Sequence, residues 1–391
     1  MQVPELRFKE FNDEWNNTYI RNIFEERSQK HYQYLELLSV TIDNGVIKRC
    51  EISGKNTSSD DKSNYKLVEI NDIVYNSMRM WQGASGVSKY KGIVSPAYTI
   101  LKPKININSN FFGYMFKLPN MIYHFRVNSQ GLTSDTWNLK YTQIKDIPIS
   151  LPSIEEQTKI ANFLSLIDRK IELQEKLVEN LNLYKKGLLK KVFSNNLGWK
   201  TAKLSKYFDI TSSKRVFQSE WTTNGIPFYR AREIVKLVNN NYIDNELFIS
   251  KSMYDEYSKK YGKIQKNDLL ITGVGTIGIC YLVKETDEFY FKDGNLIWLK
   301  PKNNNINSKF VKYLFQSNYI INQINNFGNG TTVATYTIDN ANETKIFIPS
   351  IEEQNRIANL FTSLDKKIEL ETKKLQDLKT YKKGLLQKMF I

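Results

Sequence analysis

The sequence predicts an α+β protein in which two mixed α/β domains are separated by two long antiparallel helices, related by an intramolecular pseudo-two-fold. Three observations carry this. Residues 152–193 and 349–390 are near copies of each other, both copies carry a helical apolar spacing, and the stretches before them share a succession of short β-rich runs.

The repeat comes first because it organises the rest. Pro152-Ser153-Ile154-Glu155-Glu156-Gln157 returns as Pro349-Ser350-Ile351-Glu352-Glu353-Gln354. At the same offset of 197, Tyr184-Lys185-Lys186-Gly187-Leu188-Leu189 returns as Tyr381-Lys382-Lys383-Gly384-Leu385-Leu386. Over the ungapped stretch, 24 of 42 positions are identical. The flanking segments match more loosely, with the offset drifting from 184 at Trp15/Trp199 to 199 at Ser109/Ser308. A period near 200 residues is too long for a solenoid and indicates duplication of a domain plus a helix. The expected boundaries are 1–150, 151–195, 196–347 and 348–391. Such a pseudo-dimer suits a target that is itself two-fold or bipartite.

Each matched segment reads as a helix. Ser153 and Ser350 stand as caps, with Glu155, Glu156, Glu352 and Glu353 in the first turns. The apolar seam runs through Ile160, Leu164, Ile167, Ile171, Leu181 and Leu188, and in the second copy through Ile357, Phe361, Leu364, Ile368, Leu378 and Leu385. Gln174 and Glu371 interrupt it. About 40 residues at 1.5 Å each give a rod of roughly 60 Å. Two such rods bury their stripes against each other, and their length is expected to set the distance between the domains.

Within the domains, strands are expected at 72–75, 98–101, 268–272 and 296–299, and short helices after Asn108-Ser109 and Asn307-Ser308, burying Phe111, Tyr114 and Phe116 or their counterparts. Three sets of loops then stand out. The first holds Arg79, Trp81, Gln82 and the nearby Lys89 in one half, and Gly275-Thr276-Ile277-Gly278 in the other. Small residues there admit a phosphate to backbone N–H groups, or simply make a turn. The second comprises Lys48 and Arg49 in the first half, and Lys214, Arg215, Tyr229, Arg230, Arg232 and Lys236 in the second. The third pairs Gln130 and Thr133 with Asn329, Thr331 and Thr332. Arg suits guanine edges and Asn or Gln suits adenine, although phosphate contacts are commoner than base contacts.

Lys and Arg total 56 against 41 acidic residues, a net charge of +15 that favours a polyanionic partner. Only Cys50, Cys280, His31 and His124 are present, which argues against a disulfide scaffold or a zinc site. The glycine-interrupted run 269–283 is too short to span a bilayer and no signal segment is visible, so no membrane partner and a cytoplasmic location are expected. Neither an Asn-Pro-Pro-aromatic nor an Asp-Pro-Pro-aromatic motif for adenine methylation occurs, nor a nucleotide P-loop. Phe327-Gly328-Asn329-Gly330 resembles a methyltransferase cofactor loop only superficially. No catalytic residue and no metal ligand is assigned.

The duplicated Leu151-Pro152-Ser153-Ile154-Glu155-Glu156-Gln157 and Tyr184–Leu189 segments, together with Leu38-Ser39-Val40-Thr41 and Gly275-Thr276-Ile277-Gly278, resemble the specificity (S) subunits of type I restriction–modification systems. The resemblance covers essentially the whole chain. It implies two target recognition domains, each reading half of a bipartite site in double-stranded DNA, with the conserved helices as spacer. It further implies docking of two modification (methyltransferase) subunits and recruitment of restriction (motor/nuclease) subunits. S-adenosylmethionine, magnesium and ATP are then expected on those partners and no cofactor on this chain. The faces around 168–172 and 365–369 are candidates for gripping the methyltransferase subunits. A free-standing methyltransferase or nuclease would bind S-adenosylmethionine itself. A structural or RNA-binding coiled coil would show no preference for a bipartite duplex.

Overall fold

The computed structural model describes residues 3–53, 58–104, 106–194, 198–327 and 335–391. The chain divides into two compact units. One is Met1–Glu175 with Lys373–Ile391, and the other is Lys176–Thr372. The first long helix, Ile154–Ser194, and the second, Ile351–Lys388, each contribute to both units.

The units repeat one sheet. In the first, the strand order is Phe24–Glu26, Tyr98–Pro103, Ile73–Asn76, Ser85–Val87, antiparallel throughout. In the second it is Phe208–Thr211, Leu296–Pro301, Leu269–Thr272, Cys280–Leu282, again antiparallel. Side chains alternate across a strand, and here both faces are covered. Ile73, Tyr75 and Leu101 enter one apolar cluster while Val74 and Ile100 enter another. Leu269, Ile271 and Leu299 likewise part from Leu270 and Trp298. Double-sided burial explains why these strands read as continuous apolar runs.

A second, shorter ladder closes each unit. Asn16–Tyr19 pairs antiparallel with Pro148–Leu151, and Lys200–Lys203 with Lys345–Ile348. The repeated Asn-Asp dipeptide forms the turn into the central strand. Asn71 and Asn267 take φ of 71° and 74°, a left-handed conformation asparagine tolerates. The following carboxylates, Asp72 and Asp268, accept the N–H of Glu69 and Gln265, both at 2.8 Å. The units differ in what is inserted. The first carries the hairpin Leu38–Thr41/Gly45–Lys48. The second carries a four-stranded sheet containing a parallel pair, Ile226–Tyr229 with Tyr290–Phe291, plus the helices Ala231–Val238 and Lys251–Tyr261.

The short helices Ser109–Met115 and Ser308–Leu314 start on Asn108 and Asn307, whose side chains accept the first free N–H groups. Phe111, Phe116, Phe310 and Phe315 are buried, as is Tyr313, while Tyr114 is only half-buried. The two long helices run antiparallel within each unit. In the first, Asp168 meets Lys382 at 2.5 Å and Glu175 meets Lys379 at 2.6 Å. In the second, Asp365 meets Lys185 at 2.7 Å and Phe361 stacks on Phe193 at 6.2 Å. Ile160, Leu164, Ile167, Ile171, Ile357, Phe361 and Leu385 are buried; Leu181, Leu188, Leu364, Ile368 and Leu378 are half-buried.

The repeated motif at each helix start ties the helix to its domain. Gln157 accepts the Asn108 N–H at 3.1 Å and donates to the Pro152 carbonyl at 2.9 Å. Gln354 accepts the Asn307 N–H at 2.9 Å and donates to Pro349 at 3.1 Å. At the far end, Phe390 packs 5.1 Å from Phe111 and 6.4 Å from Trp15. Phe193 packs 5.7 Å from Phe310 and 6.4 Å from Trp199.

Candidate nucleic-acid interface

In the first unit, the loops singled out by sequence lie together because one lysine and one backbone bond join them. Lys117 is half-buried and donates to the carbonyls of Ile42, in the hairpin turn, and Gly83, at 2.9 and 2.5 Å. Burial pushes its amine down to about 8, with Asp43 opposing the shift and Lys382 adding to it. Leu139 donates its N–H to the Ser77 carbonyl at 2.9 Å, binding the 128–139 loop to the 77–86 loop. The Trp81 and Trp137 rings meet edge to face at 5.2 Å, and the Arg126 guanidinium sits 5.5 Å over Trp137.

The candidate readers of this unit fall into two groups. Arg79, Gln82, Lys89 and Gln130 are exposed, with no side-chain partner among the described residues. Thr133 is exposed and braces its own loop through Thr136. The others are engaged. Trp81 donates to the Met78 carbonyl at 3.1 Å, Lys48 pairs with Glu36 at 2.8 Å, and Arg49 donates to the Ile52 carbonyl at 3.0 Å. Sequence reasoning missed Lys117, Arg126 and Trp137, whose partners lie too far along the chain for any spacing rule to register.

In the second unit, Gly273 donates to Asn295 and accepts from Tyr336, each at 2.9 Å. A Cβ on Gly273 would lie 2.6 Å from the Tyr336 carbonyl, so only glycine fits this crossing. Thr276 is exposed at the tip, and its carbonyl accepts the Thr272 hydroxyl at 2.5 Å. Lys214 and Arg215 are exposed, the latter paired with Asp293 at 3.0 Å; Lys236 pairs with Asp244. Asn329, Thr331 and Thr332 lie outside the described residues, as does most of the 327–330 stretch.

Two expectations need correction here. Tyr229 is buried, its hydroxyl donating to Glu246 at 3.0 Å, so it is core rather than a surface reader. Arg230 is not a free guanidinium. With Arg232 it holds the carboxylate of Glu233, a residue only 2% exposed, which receives the Arg230 backbone N–H at 2.9 Å and Nη at 2.9 Å. Burial opposes ionisation of Glu233, yet these donors hold its carboxyl below the usual range. Arg232 keeps an exposed side chain. Within the faces 168–172 and 365–369, Asp168 and Asp365 bond to the lysines named above and to tyrosines of their own domains.

Among the described residues no helix is long and apolar enough to cross a membrane, and no cluster of three His, Cys, Asp or Glu side chains could hold a metal. In the first unit the candidate interface is a set of loops carrying exposed Arg, Lys, Gln and Thr side chains beside two tryptophan rings. That chemistry fits phosphate oxygens and base edges.

Comparison with known proteins agrees. Residues 12–183 and 196–380 each match the sequence model of the type I restriction modification DNA specificity domain. The type I restriction enzyme MjaVIII specificity subunit of Methanocaldococcus jannaschii is 26% identical over 345 residues, covering 82% of this chain and 78% of that protein. Among solved structures, the S subunit of a type I restriction–modification system from M. genitalium superposes with a TM-score of 0.61 at 19% identity, covering 100% of this chain and 99% of the other. A structure describing complex assembly and conformational transition of the type I R-M system gives 0.59 at 14% identity, covering 96% and 97%. At such identities the two structures speak for the fold.

Proposed function

The chain belongs to the family of type I restriction modification DNA specificity domains, and from that premise we propose that it reads a bipartite DNA site, one part with each unit, as the specificity subunit of a type I restriction–modification complex. The observation that carries this reading is the duplication. Two family matches coincide with two copies of the same sheet, while the elements inserted into them differ. Equal frameworks with unequal inserts suit two different half-sites on one duplex. The chain supplies recognition and assembly, and methyl transfer and DNA cleavage belong to its partner subunits.

The long helices offer a place for the modification subunits. Leu173 and Leu370, equivalent in the repeat, are both exposed, and so are the equivalent Tyr184 and Tyr381. Leu173 and Tyr381 belong to the first unit, two residues from the Glu175–Lys379 ion pair on either helix. Leu370 and Tyr184 repeat the pair in the second. These large apolar side chains are exposed and repeated at equivalent positions, and two copies suit two methyltransferase subunits. The continuous helices then set the gap between the half-sites.

The test is co-expression with the modification subunit followed by single-molecule mapping of methylated adenines. A two-part motif with a fixed non-specific gap supports the reading. Methylation at one continuous short site, or none despite a stable complex, overturns it. Replacing Leu173 and Leu370 singly with Asp should each lower the number of modification subunits retained on size-exclusion chromatography.

A further inference from the structure

The loop that follows the helix Pro119–Val127 carries a leucine with no partner in the fold. Its two limbs are locked by reciprocal backbone bonds, Gln130 N–H to the Asn138 carbonyl at 3.0 Å and Asn138 N–H to the Gln130 carbonyl at 2.8 Å. Ser129 anchors the first limb by donating to the Phe125 carbonyl at 2.7 Å, and Leu139 anchors the second on Ser77. Inside the loop, Thr136 donates its N–H to the Thr133 carbonyl at 2.9 Å, and its hydroxyl oxygen accepts the Thr133 N–H at 3.1 Å. Gly131 sits at φ 146°, where a Cβ would lie 2.6 Å from the Thr136 carbonyl. The tip is therefore held by its own hydrogen bonds, and Leu132 projects from it with a relative exposure of 101%.

A single exposed leucine needs no explanation on most surfaces. This one differs in its support and its company. A braced loop holds it away from every apolar neighbour, so it contributes nothing to the core. The loop base carries Trp137 against Trp81 with Arg126 over the ring, and the adjoining loop presents the unpaired Arg79 and Gln82. Cations and amides able to hold the backbone and base edges of a duplex thus flank a rigid apolar tip. Apolar tips so placed enter between base steps, partly unstacking them, while neighbouring arginines hold the phosphates.

We propose that Leu132 is a wedge that enters a base step of the DNA bound by the first unit. The inference rests on the functional reading above and adds to it a deformation of the duplex. Specificity would then include how readily that step unstacks, at positions no donor touches.

The test uses the whole chain in complex with its modification subunits, on a duplex carrying the mapped bipartite motif. 2-Aminopurine is placed singly along the half-site assigned to the first unit and its flanks. With the native chain, one position should brighten several-fold on binding. Leu132→Ala should abolish that signal and weaken binding about tenfold, whereas Leu132→Phe should keep both. Because the side chain is fully exposed, neither variant should shift the melting temperature. Unchanged affinity and fluorescence in Leu132→Ala overturn the wedge, as does weaker binding without any unstacked position in the native complex. Failure of the native complex to bind any bipartite duplex overturns the functional reading itself, and the wedge with it.

Discussion

The Tyr114 hydroxyl donates to the Asp168 carboxylate at 2.8 Å. The same bond recurs between Tyr313 and Asp365, also at 2.8 Å. Each carboxylate also receives a lysine from the opposite long helix, Lys382 or Lys185, and that lysine lies 5.5 or 5.8 Å from the tyrosine ring. Three elements, a domain helix and both long helices, thus meet on one side-chain network, built twice. Burial, with the neighbouring carboxylate, pushes both phenols above their ordinary range, so they remain donors at any working pH.

Removing either hydroxyl tests the network. Tyr114→Phe and Tyr313→Phe should each cost about 1 kcal/mol, the net worth of one hydrogen bond, because the lysine still satisfies the acid. The two losses should add, since the networks share no member. Urea midpoints of the single and double variants measure this. A single loss above about 3 kcal/mol would mean the tyrosine carries more than its bond.

The helix-start glutamines make a sharper case. Both are buried and accept one backbone N–H; Gln157 donates to one carbonyl, and Gln354 to two, those of Pro349 and Asn305. A glutamate keeps the acceptor and loses the donor, so Gln157→Glu should destabilise the first unit by about 1–3 kcal/mol. Gln157→Glu melting no lower than the native chain would show the amide donor to be dispensable.

The framework of the fold was legible because it is written twice. The repeat exposed the helices, both central strands and the Asn-capped short helices. The site was less legible, for a physical reason. Which polar groups pair is decided by tertiary approach, and Arg7 with Glu156, 149 residues apart at 2.7 Å, has no local signature. Tyr229 and Arg230 are a different case, because the acids that hold them, Glu246 and Glu233, lie only 17 and 3 residues further on and their spacing was open to reading. The second unit's inserted sheet was missed because its parallel pair joins segments more than 60 residues apart.

Lys117 gives a pH signature. Its amine falls from 10.5 in the open chain to about 8 when folded. Below about 8 both states hold the proton and the cost of burying the charge is constant. Between 8 and 10.5 the unfolded chain binds more protons, so this contribution to stability rises with pH and is complete above 10.5. Subtracting the pH profile of Lys117→Met from that of the native chain should leave a rise across this window. A flat difference would refute the depressed amine.

Arg79 and Arg230 separate recognition from folding. Arg79→Ala removes an exposed, unpaired guanidinium and should weaken DNA binding at one half-site while leaving the melting temperature unchanged. Arg230→Glu sets a second carboxylate against the buried Glu233 and should unfold the second unit's insert, a loss of about 3–5 kcal/mol. Equal loss at both half-sites in Arg79→Ala, measured on duplexes with one half scrambled, would remove it from the readers.

The length of the helices is open to a direct test. Between the buried Gln174 and Leu189 the first long helix exposes or half-exposes every residue, so an insertion after Leu181 disturbs the least packing. One added turn contributes roughly 5.4 Å, between one and two base pairs at about 3.4 Å per step. The spacer read from adenine methylation should therefore lengthen by about that amount while both half-site sequences stay the same. An unchanged spacer in a stably assembled variant would mean that the gap is set by the loops and not by the rods.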